Sequence, residues 1–199
     1  MPKQMKIKLK KKLPILFVAV GLLLIVLAAA GAIVIFLKDS GKKIDIDRAV
    51  KLLEAAMPAD EKRSVGLIEE RSDNAMPAYD IDGTDFIGLL ELPRLGVKLP
   101  VAAEWNSSLF AFRPARYSGS VYDGTLVIGG KYESGNFDFA DKIDVGEKIE
   151  FTDMCGRVFG FTVKKISHAD GIDADTLDGS ELTLFVKKNG GYIIIRCDA

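Results

Sequence analysis

The sequence predicts a mostly β domain, either a closed barrel or a sandwich, behind one long apolar helix. Three observations carry that expectation. Seven short runs between Phe86 and Cys197 have strand composition, with turn residues between them. Leu13 to Leu37 is a run of 25 residues without a charge. Helical periodicity is confined to short segments.

The apolar run comes first in the chain. At 1.5 Å per residue a helix of that length spans roughly 37 Å, against about 30 Å of bilayer hydrocarbon. Pro14 falls in its first turn, where a missing N–H costs little. Residues 1–12 hold six lysines and no acid, so the sequence predicts a basic cytoplasmic tail, a transmembrane signal-anchor over 13–37, and the rest of the chain outside. A cleaved signal peptide is the rival reading, with Ala28, Ala29 and Ala30 as small residues of the right kind. The apolar run continues to Leu37, longer than a secretory core of about 7–15 residues, and favours the anchor. Beyond the anchor lie 21 basic and 28 acidic residues, a formal charge of −7 over residues 38–199. That balance argues against nucleic-acid binding, which needs a basic footprint.

Residues 38–84 read as a helix and a linker. Ile46, Val50, Leu53 and Met57 recur at helical spacing, Asp45 can cap the start, and Pro58 marks the end. Residues 59–84 are polar and broken, with one short ordered piece around Val65–Ile68. From residue 85 to 199 the texture is β. Strands are expected at Phe86–Leu92, Val97–Ala102, Thr125–Ile128, Lys148–Asp153, Val158–Val163, Leu182–Lys188 and Tyr192–Cys197. Short helical turns are expected at Ser107–Phe112, Phe137–Ile143 and Ala174–Leu177. Asn189-Gly190 is a strong signal for a two-residue hairpin. Cys155 and Cys197 can be read as one disulfide or as two small buried side chains.

Six motifs, in order, carry a resemblance to a known family: Phe86–Pro93, Leu95–Val101, Pro114–Ser120, Thr125–Gly130, Gly146–Asp153 and Leu182–Phe185. Together they resemble the class B sortases, cysteine transpeptidases of Gram-positive cell surfaces. The resemblance implies a closed eight-stranded β-barrel with short helices, anchored by one N-terminal helix. It implies a chemistry in three parts. A thiolate attacks a peptide carbonyl, a histidine moves protons, and an arginine supports the oxyanion or the substrate.

The same resemblance puts other residues at those three positions. Lys131 stands where the family has histidine, Lys187 where it has cysteine, and Tyr192 where it has arginine. No catalytic residue is therefore assigned, and Lys131, Lys187 and Tyr192 are read as degenerate active-site positions. Lysine is a weak nucleophile unless its pKa falls, and its attack on a peptide would leave a stable amide. His168, the only histidine, is expected in a solvated loop. Lys131, Lys187 and Arg196 are candidates for ligand binding, with Glu133 or Asp138 able to neutralise the lysines internally. Period two puts Arg196 on the face of Tyr192, about 13 Å further along.

The expectation for function is a membrane-anchored, catalytically inactive sortase-like protein. It would bind a sorting-signal-like peptide, a surface protein or an active sortase, without cofactor or metal. The alternative is a cysteine-independent or partner-completed transpeptidase.

Overall fold

The computed structural model describes Phe17 and residues 20–28, 45–58, 76–105 and 113–199. The chain divides into two compact units, Met1–Gly41 and Lys42–Ala199. In the first, the described residues are helical. Among the described residues no helix is long and apolar enough to cross a membrane. Most of the expected 13–37 span lies outside them, as do the 1–12 tail, the Val65–Ile68 piece and the turn at Ser107–Phe112.

The second unit is a closed barrel. Its described strands are β1 (Tyr79–Ile81), β2 (Thr84–Leu92), β3 (Val97–Ala102), β4 (Ala115–Ser118), β5 (Leu126–Lys131), β6 (Lys148–Asp153), β7 (Val158–Ala169), β8 (Leu182–Lys188) and β9 (Gly191–Asp198). Eight of them run in the order β2-β3-β4-β5-β8-β9-β7-β6, and β6 pairs back onto β2 to complete the circuit. Closure leaves none of the eight with two free edges' worth of unmet backbone groups along the shared ladders. β1 lies outside the ring as a hairpin partner of β2.

Period two explains the inside of the barrel. Leu182, Leu184 and Val186 of β8 and Ile193, Ile195 and Cys197 of β9 all point into one apolar core. Leu126 and Ile128 of β5 join them. Helix α1 (residues 45–56) closes one flank. Its Leu53 is fully buried against Phe86, Leu89 and Met154, and Ile46 reaches the main core. The helical spacing of the sequence therefore identifies the buried stripe. Helix α2 (Ala174–Leu177) is one turn long, and the Asp173 carboxylate accepts the Thr176 N–H at 2.8 Å.

One polar group is built into the wall. Asp153 is fully buried at the end of β6. It accepts hydrogen bonds from Tyr122 Oη (2.9 Å), Arg157 Nε (2.8 Å) and the N–H groups of Cys155 (2.8 Å) and Arg157 (2.9 Å). These donors offset the cost of a buried carboxylate. Burial first, then the Asp153 charge, pushes the Tyr122 phenol well above its usual range.

Several expectations need correction. β1 lies inside the stretch read as linker. Its turn, Asp82-Gly83, has positive φ at both residues (52° and 79°), as a tight two-residue hairpin requires. Pro114–Ser120, read as a connector, contains β4, which pairs with β5. β7 continues to Ala169 because β9 supplies a partner from Thr162 to Ala169, so His168 sits on a strand opposite Ile193, exposed. Phe137–Ile143 is a series of turns. Cys155, in the β6–β7 turn, and Cys197, in the core, do not form a disulfide.

Candidate functional site

The site begins with strand register. β5 and β8 are parallel neighbours, and Lys131 is the register partner of Lys187. β8 and β9 are antiparallel neighbours, and Lys187 is the register partner of Tyr192. The three positions therefore form one lateral row across adjacent strands, about 5 Å from one to the next. Since Val186 and Ile193 point inward, Lys187 and Tyr192 project from the outer face.

The β8–β9 turn holds this row together. Asn189 and Gly190 both have positive φ (45° and 87°), and Lys188 pairs directly with Gly191. The expected two-residue hairpin is present.

Charge along the row is uneven. Lys131 Nζ lies 2.5 Å from Glu133 Oε1. Lys188, on the opposite face from Lys187, pairs with Asp141, and its ammonium stands 3.9 Å from the centre of the Tyr132 ring. Hydrogen bonds from Lys188 and Tyr132 hold the Asp141 carboxyl below its ordinary range. Lys187 is exposed and has no carboxylate partner among the described residues.

The row beneath is apolar. It consists of Gly129, Phe185 and Ile194. The Trp105 and Phe185 rings press onto Gly129, where a Cβ would come within 2.3 Å of each. Trp105, Tyr117 and Phe185 form a mutual cluster with ring centres 5.2–5.4 Å apart, and Tyr192 packs edge-on to Phe185 at 6.2 Å. The sequence reading missed Trp105, Tyr117 and Phe185. Its one available signal was Gly129-Gly130 within a strand, which marks a close approach.

Arg196 does not join this row. It pairs in register with Thr183, and its guanidinium donates to the Thr176 carbonyl of α2 at 2.6 Å. Neither cysteine reaches the row: Cys197 points into the core, where burial pushes its thiol up to about 12. His168 pairs with Ile193, one position away from the Tyr192 row. Among the described residues no group of three or more acidic, histidine or cysteine side chains is placed to hold a metal.

No family model matches the sequence, and no curated protein matches it. Solved structures do match in fold, and they are sortases. A Clostridium perfringens sortase D5 transpeptidase is 18% identical, with a TM-score of 0.56, over 76% of this chain and 96% of that one. Sortase C1 from Streptococcus agalactiae is 17% identical, with a TM-score of 0.58, over 76% of this chain and 97% of that one. C. perfringens sortase C with the C-terminal cell wall sorting motif is 18% identical, with a TM-score of 0.50, over 80% and 95%. The chain has the sortase fold, an eight-stranded closed barrel.

Proposed function

We propose that this protein is a membrane-anchored, class B sortase-like module of a Gram-positive surface that binds a peptide without transferring it. The observation that carries the reading is the Lys131–Lys187–Tyr192 row on adjacent strands. The sequence resemblance puts histidine, cysteine and arginine at these positions in the family. A lysine and a tyrosine supply neither a labile acyl carrier nor a fixed guanidinium. What the row retains is a solvent-facing cation beside an aromatic surface, a combination that suits binding.

A sortase of the same fold occurs with a cell wall sorting motif, which supports a sorting-signal-like peptide as the ligand class. A surface protein or an active sortase presenting such a segment is the natural source. The uncharged 13–37 run and the lysines before it support an anchor with a cytoplasmic N-terminus and an external barrel.

The test is incubation of the full chain with sorting-signal peptides and an amine acceptor, followed by mass spectrometry and a binding titration. Saturable binding with no covalent adduct and no transfer product is expected. Turnover that disappears in Lys187→Ala would overturn the proposal in favour of a cysteine-independent transpeptidase.

A further inference from the structure

We infer that Lys187 and Tyr192 receive the free α-carboxylate of a peptide whose last side chain is apolar. This rests on the peptide-binding reading above and specifies which part of a peptide the row takes.

Charge favours an anionic ligand. Glu133 neutralises Lys131 within the row. Lys187 is left as the exposed cation, unpaired among the described residues. One surplus positive charge suits one carboxylate. The side chain of Tyr192, its register partner, makes no hydrogen bond among the described residues and offers a phenolic donor next to the ammonium in the row.

An aromatic cluster lies directly below the charged row. Gly129, Phe185 and Ile194 lie next to the charged row on the same face, buried beneath Trp105 and Tyr192. Tyr117 is 43% exposed and packs on Phe185, so part of the aromatic surface is open to a ligand. An apolar side chain adjacent to the carboxylate would land on the exposed face of Tyr117.

Strand pairing favours a chain end over an internal acidic residue. At the row, β8 is paired on both sides by β5 and β9, and β9 by β8 and β7. A peptide therefore cannot add to these strands as a further strand. An internal segment laid across the aromatic surface would bring peptide N–H and C=O groups on both sides of its acidic residue to a surface without ladder partners. A C-terminus delivers its charge with the fewest such groups.

Trp105 is the only tryptophan in the chain and belongs to this aromatic cluster, so its emission reports occupancy. The full chain in detergent micelles is titrated with three probes: acetyl-dialanyl-leucine as the free acid, the same peptide as its C-terminal amide, and an amidated tripeptide with central glutamate. The free acid is expected to bind about ten-fold more tightly than either amide, the size of one charge-assisted hydrogen bond. Lys187→Gln brings the acid down to the level of its amide, whereas Lys187→Arg keeps the preference. Equal binding of acid and amide overturns this inference and leaves the peptide-binding reading standing. So does a glutamate probe that matches the free acid, or an acid preference that survives Lys187→Gln. If none of these probes binds and sorting-signal peptides do not bind either, both readings fall.

Discussion

Lys131 and Lys187 are register partners on parallel strands, yet among the described residues only Lys131 has an acid paired to it, Glu133 at 2.5 Å. Two neighbouring ammonium groups would otherwise repel. Glu133 turns the pair into one neutralised and one available cation. Replacing Glu133 with glutamine should free the second charge. Glu133→Gln is expected to tighten binding of an acidic peptide by about three-fold at low salt, with the gain lost near 1 M salt. Titrations at two ionic strengths check this, and a gain that ignores salt would count against a Coulombic origin.

Trp105 and Phe185 leave no room for a side chain at Gly129, since an added Cβ would stand 2.3 Å from both rings. Gly129→Ala should displace the rings and cost about 1–3 kcal/mol of stability by overpacking. Urea denaturation measures the loss. Trp105 emission should shift to the red in the folded variant, and an unchanged spectrum would contradict the packing.

Asp153 is the most fully satisfied buried acid in the described structure, with four donors around it. Asp153→Ala strands Arg157, Tyr122 and two backbone N–H groups. A loss of about 3 kcal/mol is expected, at the lower end for a broken buried pair because Arg157 is partly exposed. Thermal or urea unfolding tests it, with Tyr122→Phe expected to cost about 1 kcal/mol.

Glu147 is buried and bonded to Arg94, whose Nε stands 2.7 Å from each carboxylate oxygen. These hydrogen bonds hold the Glu147 carboxyl below its ordinary 4.5. A depressed acid contributes stability that is complete above the unfolded value and disappears as pH falls through the folded one. The urea midpoint should therefore drop on acidification below about pH 4.5, and Glu147→Gln should flatten part of that drop.

Cys197 is fully buried, and its thiol is pushed up to about 12. Thiolate, the reactive form, is then scarce at neutral pH. Iodoacetamide at pH 8 should leave Cys197 unmodified until the protein is unfolded, as read by peptide mass mapping. Peptide binding should survive the treatment, unlike the activity of an enzyme with a thiol nucleophile.

Much of the barrel was legible from local pattern. Alternation located β6 at its observed limits, Lys148–Asp153, and strand composition before a turn located β8, Leu182–Lys188. Helical spacing identified Leu53 as buried, and Asn189-Gly190 marked its turn. The failures were of two kinds. β4 has only four residues and no clear alternation, so its pairing with β5 outweighs its composition. β1 was hidden in polar sequence although Asp82-Gly83 was a readable turn. The site divides in the same way. Family resemblance singled out Lys131, Lys187 and Tyr192, which strand register brings into one row, and Glu133 was foreseeable from proximity in sequence. The seating of Trp105 on Gly129 was not, because it joins a loop to a strand more than twenty residues away through packing alone.

The Asn189-Gly190 turn has a consequence for timing. It ties Lys187 and Tyr192 into one rigid hairpin, with each strand also fixed by a further neighbour. The two side chains need no backbone rearrangement to meet a ligand, so little ordering entropy is lost on capture. Stopped-flow traces of Trp105 emission should then be single exponentials whose rate rises linearly with peptide concentration, without the plateau that a slow conformational step imposes.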